Sequence, residues 1–328
     1  IDKAPYQYKG RSLQRFSVTA GSNDPANWLA SPLSPGPNPG SANASTGAVP
    51  KPVVVALAVV QESDESAVIR AMQTVRVSFA FSSEASLSGV EVQFFIDNVN
   101  SFSEARTTVA TTPLGNGNYT ATIPGQPNRS VVRWRVRANR GSGLEAVSPR
   151  PDDPAIVPVS VGGREAWHAY FVQPLRTTPN PVYDIFVSDD GTSSYVPFNG
   201  FNGRQAMNYN ILGEPKRATS SAETGVPRTT PYVAASDRQW NGSVPAIFIE
   251  NGNVRDVHLR YHGSRYNRRA DRNSFKMRFA DNQKHQEADS VFITDKDGGP
   301  DYFSVMHGLY INANLPVSRV RWIDWYLN

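Results

Sequence analysis

Residues 254–279, VRDVHLRYHGSRYNRRADRNSFKMRF, decide how the second half of this chain folds. Apolar and polar residues alternate at both ends of this stretch, in residues 257–261 and in residues 275–279. Alternation with a period of two is typical of a strand that buries one face. The Asn251-Gly252 pair just before it suits a type I′ turn, so residues 245–261 are predicted to form a β-hairpin. Three antiparallel strands are therefore expected, with a long polar loop between the second and the third.

That loop and its flanking strands are strongly basic. Residues 254–279 hold eight Arg and Lys against two Asp, a net charge of +6. The whole chain has a net charge of +4, so its other residues together carry −2. Positive charge concentrated between two strands attracts anions, and phosphate is the commonest group bound in this way. The stretch therefore predicts an anion-binding site.

Six residues of the stretch have side chains or backbones suited to phosphate. Gly263 permits close approach of the backbone, and the hydroxyl of Ser264 can donate a hydrogen bond. Arg260, Lys276 and Arg278 alternate with apolar residues, so they are expected to supply positive charge from one side of the sheet. Ser274 is predicted to share the face of Lys276 and Arg278.

Composition favours a modular, exported chain. The 328 residues include no cysteine, which excludes disulfides, thiolate metal sites and a cysteine nucleophile. The longest apolar stretch, residues 53–60, is much shorter than the roughly 18 residues of a transmembrane helix, so no transmembrane segment is predicted. A high content of Pro, Gly, Ser, Thr and Asn favours short strands and loops. We therefore expect an extracellular or cell-surface location.

The first half of the chain is predicted to form a β-sandwich over residues 53–160. Residues 31–51 are rich in Pro, Gly, Ser and Ala and are expected to lie outside any core. Strand patterns follow at residues 75–81, 90–96, 119–123 and 132–138, separated by turn residues. In the last of these, Arg133, Arg135 and Arg137 alternate with apolar residues. These arginines are predicted to form a solvated face rather than a binding site.

The remaining patterns complete the second half. A strand is predicted at residues 182–187, loops over the polar residues 199–243, and a helix over residues 302–313 with Asp301 as its cap. The acidic turn at Asp295 and Asp297 could ligate Ca²⁺, but it lacks EF-hand spacing, so a solvated acidic turn before the helix is the preferred interpretation. The five histidines lack paired metal spacing, so no metal site is predicted. Because the basic excess is confined to one stretch and aromatic residues are not interleaved with it in an RRM or cold-shock pattern, no nucleic-acid partner is predicted.

Two segments of the first half resemble known modules. NYTATIPGQPNRSVVRWRVRA, residues 118–138, is similar to fibronectin type III or immunoglobulin-like spacers of large secreted bacterial proteins. The motifs SLQR (12–15), NDPANW (23–28) and SPG (34–36) resemble the closing part of bacterial lamin-tail-type domains. These resemblances imply the C-terminal part of a lamin-tail-type β domain at residues 1–46, a linker at 47–52, and an immunoglobulin or fibronectin-III-like sandwich at 53–160.

The second half resembles the CotH family, spore coat protein H-type atypical kinases. The resemblance rests on VHLRYHGS (257–264), NSFKMRF (273–279) and WIDWYLN (322–328). It implies that residues 161–328 are the N-terminal part of an α+β kinase-like domain, so the expected fold class is a modular, β-rich chain in which a sandwich precedes an incomplete kinase-like domain. By this resemblance, the family's RGxS element corresponds to Arg260, Gly263 and Ser264, and its KSfk element to Ser274 and Lys276. Tyr261 and His262 separate Arg260 from Gly263, and Asn273 replaces the usual lysine.

The resemblance also implies a function. CotH-type kinases use ATP and Mg²⁺ and phosphorylate proteins, so the chain is expected to be a portion of a secreted bacterial multidomain protein with such a domain. No HRD-like or DFG-like catalytic element occurs in the sequence, so its catalytic residues are not identified. The alternative is a non-enzymatic surface, coat or fibre protein that binds coat or surface proteins or assembles with itself.

Overall fold

The structure, a computed structural model, describes residues 13–15, 18–19, 22–23, 27–30, 54–81, 87–97, 104–140, 143–149, 167–187, 244–261, 275–279, 284–293, 300–315 and 321–327. These residues are dominated by β-strands, so the predicted β-rich class is confirmed. The chain divides into two compact units. The first unit comprises Ile1–Arg176 with Gly252–Val254, and the second comprises Thr177–Asn251 with Arg255–Asn328.

The strands of the first unit form three antiparallel sheets within the described residues. They are β1 (Leu13–Arg15), β2 (Trp28–Ala30), β3 (Val54–Gln61), β4 (Val75–Phe81), β5 (Ser88–Ile96), β6 (Thr107–Ala110), β7 (Thr112–Gly115), β8 (Asn118–Ile123), β9 (Val131–Arg140), β10 (Gly143–Ser148) and β11 (His168–Phe171). β1 pairs with β2 alone. The second sheet has the order β3-β4-β8-β7. The third has the order β10-β9-β5-β6, with β11 pairing to β9 beside β10.

The two larger sheets pack face to face around one apolar core. The alternation in β4 buries its odd-numbered residues from Val75 to Phe81. β9 buries Val132, Trp134, Val136 and Ala138 against them in the same cluster. The predicted β-sandwich is therefore present. The predicted sandwich ends at residue 160, whereas the observed one includes β11, which adds Tyr170 to the same core.

One turn of the sandwich requires glycine because of a close backbone approach. A Cβ atom added to Gly125 would lie 2.4 Å from the carbonyl carbon of Met72, closer than real contacts allow. The amide of Met72 donates a hydrogen bond to the carbonyl of Gln126 at 2.8 Å. The absence of a side chain at Gly125 thus lets the β8–β9 turn bond to the loop before β4.

The second unit contains one mixed six-stranded sheet and one helix within the described residues. Its elements are β12 (Val182–Phe186), β13 (Val244–Glu250), β14 (Asn253–Tyr261), β15 (Phe275–Arg278), β16 (Ser290–Ile293), α1 (Pro300–Asn312) and β17 (Asp324–Leu327). The strand order is β16-β15-β14-β13-β12-β17, in which β17 runs parallel to β12. The Asn251-Gly252 turn has φ of 50° and 80°, as a type I′ hairpin requires.

Most predicted elements of this half are present. Three strands with a hairpin at the first turn follow the predicted order. The third of them, Phe275–Arg278, is one residue shorter than the alternating residues 275–279. The helix begins at Pro300, a residue suited to the first helical position, so Asp301 lies inside the first turn rather than at the cap. The polar stretch 199–243 lies outside the described residues. Within those residues, no helix combines the length and the apolar character needed to cross a membrane.

One face of the six-stranded sheet, here called the inner face, forms the core of the second unit. It buries alternate residues of each central strand, including Ile185, Phe248, Leu259 and Met277. The opposite, outer face carries Asp184, Asp256 and Lys276 together with the buried Ile247 and Ile249 of β13. Alternation therefore separates apolar from polar side chains in β15, whereas β13 is apolar on both faces.

Candidate functional site

The strand register places three of the predicted basic residues on the outer face. Leu259 and Met277 oppose each other in β14 and β15 and are buried in the core. The next pair in the register is Arg260 with Lys276. Arg278 lies two residues beyond Lys276, and so on the same face of β15. Directly opposed residues of an antiparallel pair project to the same side, about 5 Å apart at Cβ, so these three positions are adjacent.

Lys276 contacts an aromatic ring on the next strand. Its register partner in β16 is Phe292, and its Nζ atom lies 4.8 Å from the centre of that ring. This distance is typical of a cation–π contact. Arg278 is exposed to solvent. The other predicted site residues, Gly263, Ser264 and Ser274, lie outside the described residues.

The outer face also carries two buried carboxylates that the sequence analysis did not single out. Asp184 follows Tyr183 in β12 and is 2% exposed, while Asp256 precedes Val257 in β14 and is 7% exposed. Carboxylates are the side chains that Mg²⁺ prefers. Within the described ranges, however, no group of three or more His, Cys, Asp and Glu is arranged to hold a metal ion. The predicted acidic turn at Asp295 and Asp297 falls outside those ranges.

A second polar constellation lies at the edge of the inner-face core. We call it the polar ring, and it consists of Tyr183, Glu250, His285 and Arg321. Nη2 of Arg321 donates hydrogen bonds to the hydroxyl of Tyr183 and to Oε1 of Glu250. The Tyr183 hydroxyl lies 3.2 Å from Nε2 of His285. The other ring nitrogen, Nδ1, lies 3.2 Å from Oε2 of Glu250. These two atoms are close, but their geometry is not that of a hydrogen bond.

The environment of the polar ring disfavours extra charge on two of its members. His285 is only 3% exposed, and its imidazole stacks on Phe279 with ring centres 5.4 Å apart. Burial lowers the pKa of His285, and nearby Arg255 and Arg321 lower it further, against the opposing effect of Glu250. Burial also raises the pKa of Tyr183. At neutral pH the imidazole and the phenol are therefore both uncharged.

The polar ring could not be predicted from local sequence patterns. Its members come from β12, from the end of β13, from the loop after β15 and from the residues before β17. Their sequence separations range up to 138 residues. Only the tertiary fold brings them together, so spacing rules for local motifs cannot find them.

The predicted solvated face of β9 is wrong. Arg133 and Arg135 are 4% and 5% exposed. Nε of Arg133 lies 2.9 Å from Oδ2 of Asp97, Nε of Arg135 donates to Oε1 of Gln93 at 3.0 Å, and the Arg135 guanidinium lies 4.2 Å from the centre of the Trp167 ring. Arg137 pairs with Glu91 at 3.7 Å. Arg133 and Arg135 are buried and Arg137 is partly buried, and each has an acceptor in β5 or directly after it.

Comparison with known proteins adds no assignment. No protein-family model matches this chain, and no curated protein matches it. The function of this chain is therefore inferred from the geometry of the outer face and the polar ring.

Proposed function

We propose that the second unit binds nucleotide phosphates on its outer face, as the nucleotide-contacting part of a CotH-type kinase-like domain. The observation that carries this proposal is the pairing of Arg260 with Lys276 in the β14–β15 register. Two basic residues from separate strands oppose each other there, and Arg278 continues the same face. A rigid sheet thus presents three basic positions at the end of a basic loop.

This arrangement suits phosphoryl transfer for an electrostatic reason. Such reactions depend mainly on positioning the phosphates and neutralising their charge, and fixed cations perform both tasks. ATP with Mg²⁺ is the proposed ligand, and a protein is the proposed substrate. The outer-face residues Arg260, Lys276 and Arg278 would contact phosphate, together with Gly263, Ser264 and Ser274 of the loop. The acid–base residues of the reaction are not assigned.

The first unit fits a supporting role in a secreted multidomain protein. Its sandwich resembles immunoglobulin or fibronectin-III-like spacers, and the segment before it resembles the end of a lamin-tail-type domain. The arginines of β9 are matched by Glu91, Gln93 and Asp97 within the sheet. A sheet that satisfies its own charged residues is better suited to spacing domains than to binding a charged ligand.

One observation favours a non-enzymatic alternative. The Lys276 ammonium lies over the Phe292 ring, so part of its positive charge already interacts with the protein. In this alternative the second unit is a structural or adhesive module of a surface, coat or fibre protein. Its partners would be other surface proteins or further copies of the chain.

Nucleotide binding by the longest natural form of the protein separates the two candidates. We expect calorimetric binding of ATP that strengthens with Mg²⁺ and weakens with salt, because the contacts are ionic and accessible. Lys276→Ala should weaken that binding about tenfold, as expected for loss of one hydrogen bond to a charged group. Inorganic triphosphate, tested alongside, shows whether the phosphates alone account for the affinity.

Lys284→Ala is the matched control. It removes the same charge from the same unit, but Lys284 pairs with Asp289 at 2.9 Å in the loop before β16, away from the Arg260–Lys276 pair. ATP affinity should be unchanged in this variant. Equal losses in both variants would indicate general charge attraction, and no binding of ATP or triphosphate to the parent protein would favour the structural alternative.

A further inference from the structure

The hydrogen bonds of the polar ring assign the protons on His285. Both hydrogens of Arg321 Nη2 are directed to Tyr183 and Glu250, so the Tyr183 hydroxyl accepts one hydrogen bond and has its own proton to donate. The nearest acceptor for that proton is Nε2 of His285 at 3.2 Å. Nε2 therefore has to be unprotonated. The single imidazole proton lies on Nδ1, which faces the Glu250 carboxylate at 3.2 Å.

A second proton on His285 is incompatible with this arrangement. It would place an N–H on Nε2 against the hydroxyl proton of Tyr183, and only 3.5 Å from the Arg321 guanidinium, which has no acceptor. It would also add a third cation beside Arg321 and Arg255 of β14, both of which already act electrostatically on His285, with the Glu250 carboxylate of β13 as the opposing charge. The burial of the imidazole prevents water from screening the repulsion.

The contact most easily lost is the one made by Arg321. Its side chain is 38% exposed and can turn outward into water, whereas Tyr183 and His285 are held among Phe248 and Phe279. Besides the ring it reaches Gln286, whose amide oxygen, facing the guanidinium, accepts from Nη1 at 3.0 Å. Arg321 directly precedes the residues that lead into β17, a four-residue strand that, within the described residues, lies at the edge of the sheet beside β12.

We propose that the polar ring is a proton-sensitive latch, in which protonation of His285 breaks the ring and loosens residues 321–327 from the edge of the sheet. At neutral pH, Arg321 joins β12, β13 and the His285 loop to the chain before β17. In acid the guanidinium and the imidazolium repel each other, and Arg321 leaves. Asp324 of β17 keeps its own attachment, since it accepts hydrogen bonds from Thr178 and from Asn180, the latter at 3.0 Å. The latch therefore loosens the edge without removing every contact.

Hydrogen exchange of the whole chain tests the latch. After correction for intrinsic exchange rates, amides of residues 321–327 should exchange about tenfold faster at pH 5.0 than at pH 7.5, equivalent to about 1.4 kcal/mol. Amides of β14, in the centre of the sheet, should not change. In His285→Gln, which can accept from Tyr183 but cannot gain a proton, the difference should vanish. His307→Gln, on α1, should behave like the parent.

Two results would overturn the proposal. One is an unchanged exchange rate of residues 321–327 in the parent protein across this pH range. The other is a pH response that persists in His285→Gln. Should that variant fail to fold, NMR titration of the parent gives the same decision, since a proton on Nε2 at pH 7.5 contradicts the ring.

Discussion

Two basic strand regions in this chain look alike in sequence but differ in structure. In β9, Arg133, Arg135 and Arg137 lie close to acceptors in β5 or directly after it, and the register pairs Arg137 with Glu91. In β14 and β15 the register pairs Arg260 with Lys276, so like charges oppose each other. In the β9 region, Arg133 and Arg137 are paired with carboxylates, Arg135 is paired with Gln93, and Arg133 and Arg135 are buried. In the β14–β15 region, positive charge is concentrated. Cross-strand partners, rather than alternation along one strand, decide which basic strand can bind an anion.

Arg133→Met should have the largest effect and breaks the neutralised side of the comparison. It leaves the Asp97 carboxylate, whose side chain is fully buried, without its guanidinium partner. The free energy of unfolding should fall by about 3–5 kcal/mol, as for other buried pairs that lose one member. Urea denaturation followed by tryptophan fluorescence measures it.

The double variant Asp97→Leu with Arg133→Met is the sharper test of that explanation. Replacing both charges with apolar groups should recover most of the lost stability, because no buried charge remains. Arg137→Met, at the partly exposed pair with Glu91, should cost less than about 1 kcal/mol. A single Arg133 variant as stable as the parent would show that the pair is not buried in solution.

Acid should affect the sandwich by the next largest amount. Burial lowers the pKa of His168 to about 4, and Nε2 of the ring lies 2.7 Å from the Ser148 hydroxyl. Because the folded state binds a proton less readily than the unfolded state, stability is complete above pH 6.5 and falls as the pH drops from 6.5 to 4. The loss should reach about 3 kcal/mol.

Hydrogen exchange of the amides of β9 and β11 measures this acid-induced loss of stability, and the loss should be absent in His168→Gln. The same pH series on the second unit should show faster exchange of residues 321–327 in acid, because of His285. An acid response at β9 that survives in His168→Gln would assign the titration to another group.

The smallest effect concerns the contact between Lys276 and Phe292 on the outer face. A double-mutant cycle with Lys276→Met and Phe292→Leu should give a coupling energy of about 0.5–1 kcal/mol, typical of an exposed cation–π pair. Thermal unfolding of the four proteins measures it. A coupling of zero would mean that the ammonium is as available to ligands as an isolated lysine.

Much of the fold followed from local patterns. Residues 75–81 and 257–261 alternate so regularly that strand and buried face could be predicted from them, and the Asn251-Gly252 pair predicted the hairpin turn. Short strands such as β6, β7 and β16 were not predicted, because four residues carry too little periodicity to distinguish a strand from a loop. β11 was predicted to lie after the sandwich, because its partner strand β9 is far from it along the chain.

The candidate site divides in the same way. The basic residues of β14 and β15 stood out by composition, and their common face followed from alternation. The polar ring did not stand out, since Tyr183, Glu250, His285 and Arg321 are ordinary residues in their local sequences. The burial of Arg133 was missed because the residue that pairs with it, Asp97, directly follows β5 and lies 36 positions earlier.

The sequence by itself determined the strands, their buried faces and the concentration of charge in residues 254–279. These are local properties, set by the period of two and by the composition of one stretch. Only the tertiary structure decided which charges are neutralised, which are left together, and which polar groups close a ring around His285. Those outcomes depend on register and on distant pairing, because an electrostatic interaction is defined by the distance between groups in space and not by their order along the chain.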